Sequence, residues 1–183
     1  LSPLLRLLLQ FLSAVYIWIN GIGIDLIDIS FLNLSSQTIL IPSILSFFIT
    51  CIWFLGTINA INWIDGLDGL AGGFTFITSI GLGYICFLNK DYAFSYLNLC
   101  LAGGCLGFLL KNFYPASILM GDSGSYFLGM QLSALSLIST NSNLLEDQLN
   151  GDISYNTNLA FIFLILPILD MVLVIFNRLR KGK

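Results

Sequence analysis

Six apolar stretches, each near the length that crosses a lipid bilayer as a helix, dominate this chain of 183 residues. They are Leu4–Ile24, Ile39–Thr57, Leu70–Leu88, Ala93–Leu110, Tyr126–Ser139 and Asn158–Phe176, the fifth being the shortest. About 20 apolar residues in a helix span the hydrocarbon core. Within that core only a helix or a closed barrel satisfies its own backbone hydrogen bonds. Charged residues make up 9% of the chain, against roughly 25% in soluble domains, so a water-soluble fold would need an implausibly large core. The sequence therefore predicts an all-α fold, a polytopic bundle of six transmembrane helices forming a single domain over residues 1–183. No internal repeat and no linker long enough to separate two domains is visible.

Composition also excludes several functions. Seven Lys and Arg against ten Asp and Glu leave a net charge of −3, with no basic face for a nucleic-acid partner. Cys51, Cys86, Cys100 and Cys105 lie inside apolar runs without CxxC spacing, which predicts buried free thiols packing as small hydrophobes. With no His and no clustered thiols, a zinc site lacks ligands. The chain opens with Leu rather than Met and shows no cleavable leader, so it reads as a fragment of a larger bundle.

The basic residues are placed unevenly. If the helices alternate in direction, Arg6, Lys111, Arg178, Arg180, Lys181 and Lys183 share one side, and Lys90 alone lies on the other. Lys and Arg accumulate on the cytoplasmic side. That rule predicts a multi-pass membrane protein with Ile58–Gly69 and Lys111–Ser125 in the cytoplasm. Arg6, near the start of the first helix, is expected to snorkel to the headgroups. Asp25–Thr38, Asn89–Tyr92 and Thr140–Thr157 read as ordinary connections.

The two cytoplasmic segments are unusual. In the first, Asn59, Asn62, Asp65 and Asp68 fall at i, i+3, i+6 and i+9, and Gly66 and Gly69 follow the two Asp. On a helix this spacing lines side chains along one slowly drifting stripe. Carboxylates and carboxamides facing one way can bind a hydrated Mg²⁺ or hydrogen-bond sugar and phosphate groups. A plain Asp-Gly turn is the competing explanation, but it accounts for one such pair and not for two, preceded by two Asn. In the second segment, Asp122 lies between Gly121 and Gly124 just before the fifth apolar stretch. It can hold a metal beside backbone N–H groups that receive phosphate oxygens, or serve as a simple helix cap. Lys111 suits either a phosphate contact or a snorkelling flank. Asp170, inside the last apolar stretch, faces protein or a wet cavity, as a site residue or as support for the fold. The Arg178–Lys183 tail is a topology signal at the lipid surface.

Asn59–Gly73 resembles the NxxNxxDGLDGLA signature of the polyprenyl-phosphate N-acetylhexosamine-1-phosphate transferases, and Met120–Gly129, MGDSGSYFLG, resembles their second signature. Leu1-Ser2-Pro3 resembles the segment just downstream of that family's DDxxD motif. Pro167–Arg178 resembles the helix leading into its His-containing loop. The likeness covers essentially the whole chain. The Asn-Ala-Ile-Asn form of the first signature is closer to the branch using UDP-N-acetylglucosamine and undecaprenyl phosphate than to the muramoyl-pentapeptide branch.

The resemblance implies attack of a lipid phosphate on the β-phosphorus of a UDP-sugar, release of UMP, and a product used for cell-envelope polysaccharides such as lipopolysaccharide. It implies Mg²⁺, with Mn²⁺ as a substitute, and Asp122 as metal ligand and catalytic residue. Asp65 and Asp68 would be catalytic residues supporting the metal and the nucleotide-sugar site. Asn59, Asn62, Asn112, Lys111 and Asp170 would be substrate-binding. The partners implied are the UDP-sugar, the polyprenyl phosphate and membrane lipid, and a homodimer is left open. The DDxxD and His motifs are absent from these residues, so the chain alone is expected to be inactive. Two other classes stay open, a non-catalytic membrane scaffold and a transporter. The transporter is opposed by polar residues gathered in loops rather than at midplane.

Overall fold

The computed structural model describes residues 2–28, 38–141 and 158–181. Among the described residues six α-helices form the architecture: α1 (Pro3–Ile19), α2 (Ser43–Ile64), α3 (Leu70–Leu88), α4 (Tyr92–Asn112), α5 (Gly121–Asn141) and α6 (Asn158–Arg180). The all-α polytopic bundle expected from the apolar runs is the observed fold. The Thr140–Thr157 connection falls mostly outside the described residues. Asp25–Thr38 proves less plain than expected, because β1 (Leu26–Asp28) and β2 (Thr38–Leu40) pair antiparallel, Leu26 opposite Leu40.

Several boundaries differ from the sequence expectation. α1 is fixed at its start by Ser2, whose Oγ accepts from the Leu5 N–H at 3.3 Å, and by Pro3 at the first turn. α2 runs on to Ile64, so Asn59 and Asn62 belong to its last turns rather than to a loop. Their polarity does not end the helix, because both side chains find partners on neighbouring helices. α5 starts at Gly121, which places Asp122 in its first turn.

Four helices, α2, α3, α4 and α6 (from Phe161), are long and apolar enough to cross a membrane, and α1 is a shorter apolar helix. α5 is not apolar enough by composition to join them. Its Ser125, Leu128, Leu132, Ser133, Leu135, Ser136, Leu137 and Ser139 are buried against protein, where small polar residues pack helices closely. Trp53 of α2 donates to Ser136 Oγ at 3.1 Å. At Gly129 an added Cβ would lie 2.7 Å from the Ile58 Cα, so α5 rests almost backbone to backbone on α2. The same device joins α3 to α4: Ser95 Oγ donates to the Gly83 carbonyl at 2.8 Å. Phe54, Ile58, Ile61, Leu82, Leu132, Leu137 and Leu164 form the fully buried apolar core.

These contacts gather the start of α1, the end of α2, the start of α3, the end of α4, the start of α5 and the end of α6 at one end of the bundle. That end holds Arg6, Lys111, Arg178 and Arg180, as the charge asymmetry predicted. Lys90 lies at the other end, between α3 and α4.

Candidate functional site

The two acidic segments meet as one structure. Asp65 caps the end of α2. Gly69 opens α3 at φ 75°, a left-handed conformation that glycine adopts without a Cβ penalty. Its N–H donates to Asn112 Oδ1 at 3.1 Å, and Asn112 Nδ2 donates to the Ile118 carbonyl at 2.9 Å. Asn112 is buried, so its amide serves the fold by clamping the α2–α3 turn to the α4–α5 connection. A second tie runs from the Ala116 N–H to Asp68 Oδ2 at 3.0 Å.

Asp65 and Asp68 line a cavity of about 290 Å³ whose far wall is Leu119, Met120 and Gly121. Asp122 follows directly, and its charge is felt at Asp65. Burial first, and the negative charge of Asp122 second, push the Asp65 carboxyl above the ordinary carboxylate range. Asn62 Nδ2 donates to Ser125 Oγ at 2.8 Å and, more weakly, to Asp122 Oδ1 at 3.4 Å.

The stripe therefore fans out instead of facing one ligand. Asn59 Nδ2 donates to Gln10 Oε1 at 2.9 Å and to the Leu55 carbonyl at 2.8 Å, tying α2 to α1. Asn62 turns to α5, Asp65 to the cavity, and Asp68 to the α4–α5 connection. Lys111 has an exposed side chain, while its carbonyl accepts from the N–H groups of Ser117 and Ile118. Asp170 lies on the exposed side of α6 and is not among the residues lining the carboxylate cavity.

Arg6 is the residue that sequence reasoning missed. It turns inward rather than to the headgroups: its Nη1 lies 2.7 Å from Asp122 Oδ2 and 3.3 Å from the Tyr126 hydroxyl. The signal was its spacing from Gln10, one turn away on the same helix, which marks a polar stripe facing protein. Asp122 is 67% exposed and Arg6 30%, and partly exposed pairs of this kind contribute about 0.2–1 kcal/mol. The guanidinium is therefore displaceable. Cys100 also departs from expectation, being exposed where Cys51, Cys86 and Cys105 are buried.

Among the described residues no three His, Cys, Asp or Glu side chains form a metal cage. Mg²⁺ does not require one, because it is usually held by one or two carboxylates, waters and substrate phosphates. Asp122, open to solvent, and Asp65, whose ionisation Asp122 opposes, are the residues that fit such an ion.

A polytopic helical membrane protein whose two acidic, Gly-rich segments meet at one cavity of about 290 Å³ is the class defined by this geometry. The chain belongs to glycosyl transferase family 4, whose sequence model matches residues 1–140. It is 32% identical over 179 residues to a probable undecaprenyl-phosphate N-acetylglucosaminyl 1-phosphate transferase of Bacillus subtilis (strain 168), covering 98% of this chain and 47% of that protein. It is 34% identical over 184 residues to the decaprenyl-phosphate N-acetylglucosaminephosphotransferase of Mycobacterium leprae, covering 93% and 42%. A phospho-N-acetylmuramoyl-pentapeptide-transferase of Desulforamulus reducens is 40% identical over 99 residues, covering 54% of this chain and 30% of that protein. The chain thus spans less than half the length of these curated relatives.

Proposed function

We propose that this chain carries the carboxylate site of an enzyme that transfers a UDP-activated N-acetylhexosamine 1-phosphate to polyprenyl phosphate, releasing UMP. The observation that carries the reading is that Asp65 and Asp68 line one cavity with Gly121 of the distant second segment, while Asp122, next in sequence and paired with Arg6, is near enough to oppose the ionisation of Asp65. N-acetylglucosamine is the favoured sugar, because the relatives matching nearly all of this chain carry that sugar in their names. An oxygen of the lipid phosphate bonds to the β-phosphorus, the bond from that phosphorus to the bridging oxygen breaks, and UMP leaves with the electron pair. Bound Mg²⁺, or Mn²⁺, supplies the positive charge that lets two anionic phosphates approach. Asp122 and Asp65 would hold it, while Asp68 fixes the rim of the cavity through Ala116 and Asn112 keeps the two segments in register. The product serves cell-envelope polysaccharide synthesis at the plasma membrane.

The test is UMP release from UDP-N-acetylglucosamine with undecaprenyl phosphate and Mg²⁺, run on the chain and on the chain with its flanking coding sequence. Turnover by the longer protein is expected, and turnover by neither would move the assignment to a membrane scaffold. The Arg and Lys at its end of the bundle support a cytoplasmic site. In variants with one cysteine, position 123 should label only from inside and position 90 only from outside. The reverse pattern inverts the topology.

A further inference from the structure

Among the described residues α6 joins the bundle along one side. Phe161 meets Trp53 edge to face with ring centres 4.7 Å apart, Leu164 is fully buried, and Arg178 Cζ lies 5.6 Å from the centre of the Trp63 ring. Away from these contacts, Leu166, Asp170, Leu173 and Asn177 fall at i, i+4, i+7 and i+11, and all four are exposed. That spacing is the seam between two helices packed at a shallow angle. Only 11% of the α6 membrane span is buried, against 44% for α2 and 50% for α3. Asp170 sits at the middle of the span Phe161–Arg180. Arg178, at the basic end of the helix, lies about 12 Å further along the axis, beyond the reach of an Asp side chain.

We propose that this stripe of α6 seats a further transmembrane helix, supplied by the polypeptide flanking these residues, with a hydrogen-bond donor opposite Asp170. The proposal stands apart from the transferase reading, because it follows from the cost of the charge. A carboxylate facing hydrocarbon is expensive, and intramembrane acids turn to protein or to a wet cavity. Leu166 and Leu173, one turn to either side of Asp170, suit a helix partner, since apolar walls close a polar pair off from lipid. A second copy of the chain fits less well. Copies related by a twofold axis along the membrane normal would set two Asp170 carboxylates at one depth, facing each other in a low dielectric. The flanking polypeptide is long enough to supply the partner. Relatives matched over 98% and 93% of this chain are covered over only 47% and 42% of their own length.

A spin label on Leu173→Cys, in a protein otherwise free of cysteine, reads the cover directly. Its accessibility to oxygen, which partitions into lipid, and to a water-soluble nickel chelate is measured in nanodiscs. Both are compared between the chain and the chain with its flanking coding sequence. In the longer protein both accessibilities are expected to be low, with oxygen several-fold below its value in the chain alone. High oxygen accessibility in both proteins leaves the stripe facing lipid and overturns the proposal. High nickel accessibility in the longer protein reveals a wet cleft in place of a helix and overturns it too. Cross-linking of Leu173→Cys into a dimer would give the seat to a second copy, with the same consequence. Unfolding temperature in detergent supplies a readout without the label. In the longer protein Asp170→Leu is expected to lower it by more than Asp170→Asn, whose carboxamide oxygen still accepts from the donor. A temperature unchanged or raised by Asp170→Leu means that no donor meets Asp170, which overturns the pairing. UMP release by the unaltered longer protein judges the transferase reading separately, and either can fail alone.

Discussion

In the protein carrying its flanking coding sequence, Asp122→Asn is expected to lower UMP release by about 10²–10³-fold, the size of loss seen when one group stabilising transition-state charge is removed. The substitution keeps the shape of the side chain and its place in the first turn of α5, but removes the charge that Arg6 and a cation both seek. It should also weaken Mn²⁺ binding, measured directly by titration on the protein without substrates. Stability should move the other way with pH. Asp65 has a raised pKa in the fold, so ionising it is opposed there. Its favourable contribution holds while it is protonated and is lost as pH rises through that raised value. With the Asp122 charge gone, the Asp65 pKa falls toward the ordinary range and this loss shrinks. A variant that is inactive, binds metal weakly and tolerates high pH at least as well as the parent separates chemistry from folding. Full turnover in Asp122→Asn would remove Asp122 from the reaction.

Gly129→Leu should act in the opposite sense, on the fold before the chemistry. A Cβ there would stand 2.7 Å from the Ile58 Cα and 3.1 Å from its carbonyl oxygen, both backbone atoms that no rotamer change can move. α5 must shift away from α2, and overpacking of this kind costs about 1–3 kcal/mol. Because Asn62 of α2 and Ser125 of α5 are joined across the same interface, the shift also pulls Asp122 from Asp65. The expected result is a lowered unfolding temperature in detergent, together with reduced turnover that added Mg²⁺ does not restore. Gly73→Leu is the control, since a Cβ at Gly73 meets nothing within 4 Å. Equal destabilisation by both substitutions would show that helix propensity, not the α2–α5 contact, sets the effect.

The sequence by itself determined the six helices of the described residues, their approximate spans and the end of the bundle at which the acidic segments lie. Each follows from a constraint local in the chain: backbone groups in hydrocarbon must bond within a helix, and Lys and Arg sort to one side. The two signatures were legible because Asp and Asn crowded beside apolar runs have few purely structural uses. What the sequence could not decide was the rotation of each helix about its axis. α2 is apolar almost throughout, so its pattern does not say which face meets protein and which meets lipid. That rotation sends Asn59 to Gln10 and Asn62 to Ser125, spends the Asn112 amide on a clamp, and exposes Cys100 and Asp170. It also brings Arg6 across 116 positions of sequence to Asp122. Only tertiary packing decides such contacts, because in a bilayer apolarity no longer distinguishes inside from outside and close steric fit, as at Gly129, takes over.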